Sequence, residues 1–262
     1  MEQYLILPQD LFSIPANTVV GPVFGTSPVL DFSALPGSLV CPRLLGRVAT
    51  ADSGSHAQLN VRIITPSSGG DSVDRSDTIT IPNVGLVSVA GPTYSKPSGI
   101  KRVNCTAQMD TAGKAGSTED MLLALDLVDA DSQKLWTFWQ PSNVNWVFNN
   151  FPPSESLGGV VGYFDFSQIP LGATVHIALA GMAVQFVGDF KVRIADIANY
   201  NDLTGTVVLT GSMVGSGGGS GNPCSAAGTF VNTFSGLKVI KVTGIDSFAG
   251  GVSNSNSVVM WY

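Results

Sequence analysis

Hydrophobic and polar positions alternate in short runs over most of the chain. Residues 58–64 are the clearest case. Leu59, Val61 and Ile63 point to one side, while Gln58, Asn60 and Arg62 point to the other. That period of two marks a strand with one buried face. The same reading predicts strands over 44–50, 78–81, 86–90, 103–108, 122–128, 135–139, 144–148, 160–166, 174–180, 184–194, 207–209, 237–242 and 258–262. The breaks between them are turn chemistry, as in Ser67-Ser68-Gly69-Gly70-Asp71, Ser95-Lys96-Pro97-Ser98-Gly99 and Pro152-Pro153-Ser154. Short strands with such breaks predict an antiparallel sandwich or barrel. Helix signals are few. Ser117-Thr118-Glu119-Asp120 has the form of a helix cap, but Leu123, Leu125 and Leu127 alternate, so a strand is expected there. One helical turn is expected over 196–200.

Two segments depart from this pattern. Over residues 1–37, Pro8, Pro15, Pro22, Pro28 and Pro36 recur every six to eight positions, a spacing that blocks helix and interrupts sheet ladders. Phe12, Phe24 and Phe32 lie between these prolines, so the segment is too apolar for a free linker. The expectation is an extended N-terminal arm over 1–37, lying on its own sandwich or on a neighbour, followed by one sandwich over 38–262. The second segment is 214–223, rich in glycine and serine. Gly217, Gly218, Gly219 and Ser220 are expected to form an exposed flexible loop. It is not a phosphate-binding loop, because Asn222-Pro223 follows where such a loop has Lys-Ser/Thr.

Composition narrows the function. The chain has 262 residues, of which 12% are charged and 44% hydrophobic, with a net charge of −6. So low a charge content fits a surface largely covered by partners, since charge is depleted in interface cores. Net acidity and scattered Lys and Arg argue against a basic nucleic-acid clamp. No apolar run reaches membrane-spanning length. The N-terminus lacks the basic leader and long apolar core of a signal peptide, so cytosolic synthesis is expected. Cys41, Cys105 and Cys224 are too widely spaced for a zinc site or a disulfide framework and are expected to be free, buried thiols. Asn104-Cys105-Thr106 is a formal N-glycosylation acceptor without other support.

Candidate chemistry is sparse. The only histidines are His56, beside a turn, and His176, within a strand. There is no Gly-x-Ser-x-Gly elbow. Asp126, Asp129 and Asp131 lack the glycine and terminal glutamate of a calcium loop. No catalytic residue, metal ligand or cofactor is predicted. Trp136, Phe138, Trp139, Trp146, Phe148 and Phe151 crowd together. They fit either a core or subunit interface, or an exposed sugar-binding platform. Phe12, Phe24, Phe32, Trp136, Trp139, Trp146 and Phe151 are the candidate subunit-interface residues.

Two stretches carry a resemblance. Lys238-Val239-Ile240-Lys241-Val242-Thr243-Gly244-Ile245-Asp246-Ser247-Phe248-Ala249-Gly250-Gly251 resembles the last strand and tail of the large coat protein of comoviruses and their secovirus relatives, among them fabaviruses and nepoviruses. Gln58-Leu59-Asn60-Val61-Arg62 resembles a strand of the small coat protein of the same picorna-like plant viruses. Large coat proteins of that group carry two jelly rolls and are longer than this chain, and small ones carry one roll and are shorter. The resemblance implies an all-β, antiparallel jelly-roll sandwich of the viral coat type with an N-terminal arm. It further implies a structural capsid protein, not an enzyme, in the icosahedral shell of a virion assembled in the host cytoplasm. Its partners would be identical or sister coat proteins and, through weak direct contact, the enclosed positive-strand RNA, with no membrane. The alternative is a lectin-like carbohydrate-binding sandwich using the aromatic cluster of 136–151.

Overall fold

The computed structural model describes residues 6–9, 12–14, 23–27, 29–129, 133–139, 146–148, 155–185, 187–199, 201–215, 221–246 and 251–262. Strands account for nearly all the regular structure. The first half contains β1 (Ile6–Gln9), β2 (Phe12–Ile14), β3 (Val23–Thr26), β4 (Leu30–Asp31), β5 (Leu39–Ala51), β6 (Ala57–Thr65), β7 (Ser72–Ile81), β8 (Gly85–Ala90), β9 (Tyr94–Ser95), β10 (Ile100–Met109) and β11 (Gly116–Leu127). The second half contains β12 (Leu135–Trp139), β13 (Trp146–Phe148), β14 (Ser156–Asp165), β15 (Thr174–Val184), β16 (Val187–Asp196), β17 (Thr206–Val214), β18 (Asn222–Val231), β19 (Leu237–Asp246) and β20 (Gly251–Trp261). Single 3-10 turns occur at Phe166–Gln168 and Ile197–Asn199.

The pairing gives four antiparallel sheets. In the second half their orders are β12-β20-β15-β18, with β13 beside β12 on β20, and β14-β19-β16-β17. With β12 and β13 counted as one interrupted strand, the orders read first-eighth-third-sixth and second-seventh-fourth-fifth. An antiparallel ribbon pairing first with eighth, second with seventh, third with sixth and fourth with fifth gives those orders when it is rolled into two facing sheets. This is the jelly-roll wrapping. The first half repeats it. Its orders are β1-β11-β5-β8 and β3-β10-β6-β7, with β2, β4 and β9 extending the interrupted strands. Two rolls therefore follow one another along the chain.

This corrects the expected division at residue 37. Among the described residues this segment forms short strands paired to the sheets rather than a separate arm. β1 and β2 pair with β11, and β3 and β4 pair with β10. The edge position tolerates proline because only one side of the strand is bonded; Pro8 sits opposite Leu122 in that way. Nor does 38–262 form one sandwich. Leu30, Phe32, Val40, Leu59, Val103 and Leu125 belong to one core, and Phe166, Ile177, Phe190, Val192, Ile240 and Met260 to another. The stretch 116–127 is strand, as its alternation predicts, and 197–199 is the expected helical turn.

The rolls meet through β15 and β20. Val175, Ile177 and Leu179 face the second core, while Ala178 joins the first. Ala180 and Met182 pack with Val29 and Ile100 of the first roll. β20 alternates likewise, with Val258 and Met260 inward and Val259 and Trp261 toward the first roll. The Ser257 hydroxyl donates to the Val29 carbonyl at 2.6 Å, and the Ser225 hydroxyl to Asp31 at 2.7 Å.

With that joint buried, the chain is expected to unfold in one calorimetric transition. Met182→Asp, at a site 2% exposed, places an unpaired carboxylate in the joint and should destabilise by about 3–5 kcal/mol. Two independent transitions in the unmodified chain would contradict a shared joint.

Candidate functional site

The densest cluster in the first roll joins the β5–β6 and β10–β11 turns. Asp110 accepts the Ser55 hydroxyl at 2.7 Å, the His56 backbone N–H at 2.8 Å and the Thr111 hydroxyl at 2.9 Å, and lies 2.9 Å from His56 Nδ1. The His56 backbone N–H leads, followed by Ser55 and the imidazole, in holding the carboxyl well below the usual carboxylate range. The members meet in the wrong order for nucleophilic catalysis. A Ser–His–Asp relay needs the hydroxyl on the imidazole, whereas Ser55 donates to the carboxylate. The cluster acts as a clamp between turns, beside a cleft of about 230 Å³ lined by Ser53, His56, Pro82 and Val84.

The second roll carries a charge network on the β14-β19-β16-β17 sheet. Glu155 accepts from Arg193 Nε at 2.9 Å, from Lys191 Nζ at 3.0 Å and from the Thr243 hydroxyl. Burial pushes the Glu155 carboxyl up, but Thr243, Arg193 and Lys191 together outweigh it and hold the group down at about 2. Next along β19, the Lys241 side chain is 0% exposed. Its ammonium donates to the Asn199 carbonyl at 2.6 Å and meets Asp202 at 3.2 Å. Lys238 pairs with Asp196. The lysines of the Lys238-to-Lys241 motif thus fasten the β16–β17 connection to the sheet. Their positions in the sequence flagged a family pattern, but periodicity alone did not show that Lys241 is buried.

The remaining predicted positions sort plainly. Phe32, a predicted interface residue, is fully buried in the first core. Trp136, another, lies edge-on to Phe164 at 4.8 Å and stacks on Tyr262 at 5.7 Å, within its own chain. Phe32 thus belongs to the first core, and Trp136, partly buried, packs against the second. Phe12 and Phe24 fall in β2 and β3, and Trp139 and Trp146 in β12 and β13, with side chains outside the described residues. Phe151 and the loop residues Gly217, Gly218, Gly219 and Ser220 also lie outside them. Asp126 pairs with Arg43 at 2.6 Å, and Asp129 accepts the backbone N–H groups of Ser38 and Leu39. Both serve the start of β5. The three cysteines are free, and burial pushes the Cys224 thiol up to about 12. Asn104 sits mid-strand in β10, paired on one side with Arg62 and on the other with Thr26, an unsuitable backbone for glycosylation. His176 stacks on Trp261 at 5.3 Å. Among the described residues, no group of His, Cys, Asp or Glu side chains is placed to hold a metal ion, and no helix is long and apolar enough to cross a membrane.

Charge is used internally. Among the described residues, nine of the thirteen Lys and Arg are in ion pairs with Asp or Glu of the same chain. Such cations are already neutralised, and phosphate binding gains from cations that release counterions.

Neither the known protein families nor the curated proteins include a match to this chain. Solved structures do align with it. The exported protein XepA of PBSX aligns at a TM-score of 0.27 and 11% identity, over 98% of this chain and 86% of that one. The VP2 subviral particle of infectious bursal disease virus aligns at 0.32 and 14%, over 99% and 72%. The tandem CBM22-1-CBM22-2 domain of Paenibacillus barcinonensis Xyn10C aligns at 0.25 and 13%, over 98% and 93%. Likeness at these TM-scores carries no functional argument.

The Glu155 network predicts an acid-sensitive contribution to stability. A carboxyl whose folded value is about 2, against an ordinary 4.5, stabilises fully above pH 4.5, and that stabilisation fades as the pH falls toward 2. Glu155→Gln should lower stability at neutral pH by about 2 kcal/mol and flatten its pH dependence within that window. Parallel urea titrations of both proteins across these pH values check this, and identical slopes would contradict it.

Proposed function

We propose that this chain is a structural coat subunit that self-assembles, with copies of itself or with sister coat proteins, into the icosahedral shell of a picorna-like plant virus. The observation that carries the reading is the fusion of two jelly rolls through strands β15 and β20, which are buried on both faces where the rolls meet. A closed shell requires each subunit to present its contact surfaces at fixed angles, and a hinge between two rolls would spread those angles. The Met182 and Trp261 contacts remove the hinge. The two-roll architecture agrees with the large coat proteins that the Lys238-to-Gly251 stretch resembles.

Low charge supports the same reading. Most cations are spent on internal pairs, so the outer surface is rich in uncharged polar residues that can be covered by neighbours without stranding charge. Internal pairing of Lys and Arg also leaves little for phosphate, so contact with an enclosed positive-strand RNA would be weak and direct sequence readout absent. The site of action would be the virion, with assembly in the host cytoplasm. Against the carbohydrate-binding alternative, Trp136 of the 136–151 cluster stacks on Tyr262 of its own chain.

The test is the size of the purified protein, expressed alone and with any coat protein encoded beside it. Electron microscopy and sedimentation should reveal closed particles of about 30 nm, with no binding on a glycan array. A chain that remains monomeric under both conditions, or that binds a defined sugar with quenched tryptophan fluorescence, would overturn the coat reading.

A further inference from the structure

The edges of the four sheets are protected unequally. An exposed sheet edge offers unpaired backbone N–H and C=O groups to any passing strand, and proteins blunt it with charge, proline, bulges or shortness. β1, β2, β3, β4, β12 and β13 are short. β7 carries Asp74, Arg75 and Asp77. β14 is bent by two register shifts, and β17 pairs across another at Val192 and Arg193. β18 begins with Asn222-Pro223, and its Ser225 is bonded to Asp31 of the first roll. β8 has none of these devices. Its sequence is Gly85-Leu86-Val87-Ser88-Val89-Ala90. It pairs with β5 in unbroken register from Arg43–Ala90 to Val48–Gly85, and among the described residues it pairs with nothing on its other side.

The side chains of β8 match that open edge. Val87 points into the first core, whereas Leu86 is 92% exposed, and Val84 in the preceding turn is also exposed. No charged residue occurs from 78 to 95. Each chain has a net charge of −6, so two copies repel except where they can meet on an uncharged surface. The edge is also its own complement. Two identical strands related by a two-fold axis form an antiparallel pair in which each supplies the groups the other lacks. With the axis at Ser88, Leu86 of one copy lies beside Ala90 of the other on the same outer face.

We propose that β8 is a self-association edge, joining two copies of this chain into one continuous sheet across the first roll. The inference rests on the coat reading for the supply of neighbouring copies, and it names one of the contacts that such a shell would use. The occupant is a second copy, because antiparallel self-pairing satisfies both edges at once and leaves no edge open.

Two variants of the full chain test it. Ser88→Cys places two thiols opposite each other, at a Cα separation of about 4.5–5.5 Å within disulfide reach. Mild oxidation should give a disulfide-linked dimer. Leu86→Lys combined with Ser88→Lys sets like charges across the axis and should weaken self-association about tenfold or more in sedimentation. Circular dichroism and melting of that variant should match the unmodified chain, because both sites are exposed. If the double variant is poorly folded, the cysteine variant decides alone. Absence of the linked dimer in folded protein overturns the proposal, as does a well-folded double variant that associates normally. Particles that form normally from the double variant overturn the β8 contact and leave the coat reading standing. A β8-linked dimer that never forms particles does the reverse.

Discussion

Where the two rolls meet, β15 and the end of β20 have no free face, and the rest of the molecule is arranged around that fact. Most antiparallel sheets bury one side and wet the other. In β15 the alternation persists in geometry but not in polarity, because both sets of side chains meet protein. Ala178, Ala180 and Gly181 are small, which lets the first roll come close to the strand. The Ser257 hydroxyl donates a hydrogen bond to the buried Val29 carbonyl. Removing that contact would expose two apolar faces at once, so the rolls share a joint in which each supports the other.

The second theme is the use of charge as fastening. Glu155 gathers two cations and a hydroxyl, and Lys241 is buried against carbonyl groups that end the β16–β17 connection. Asp126 with Arg43, and Asp110 with the turn around His56, do the same for the first roll. Several of the chain's few ionisable groups thus hold loops or neighbouring strands to the sheets. Few unpaired cations remain to attract an anionic ligand.

The strands themselves were legible in the residues. The alternation of Leu59, Val61 and Ile63, the run from Leu123 to Leu127, and the turn residues at 67–71 all fall where the backbone places them. Less legible were β18, whose Asn222-Pro223-Cys224-Ser225-Ala226-Ala227-Gly228 opening has no clear alternation, and β1 to β4, whose prolines look like interruptions. Those strands lie at sheet edges, and the core-facing side of β18 is built of the small Cys224, Ala226 and Gly228 before Phe230, which gives a weak hydrophobic alternation. A count would have helped. More strands were visible than one eight-stranded roll can hold.

Period and turn chemistry are local, so the sequence alone determined that this protein is all β, antiparallel and free of long helix. It also determined that its cysteines are too scattered to brace it. The division into two rolls came only with the tertiary structure, because it depends on pairings such as β1 with β11 and β12 with β20, between residues more than a hundred positions apart. The same distance hid the fate of Phe32 and Trp136. An aromatic side chain has the same preference for burial whether the cover is its own core or another subunit, and only the arrangement of both rolls decided which one provides it.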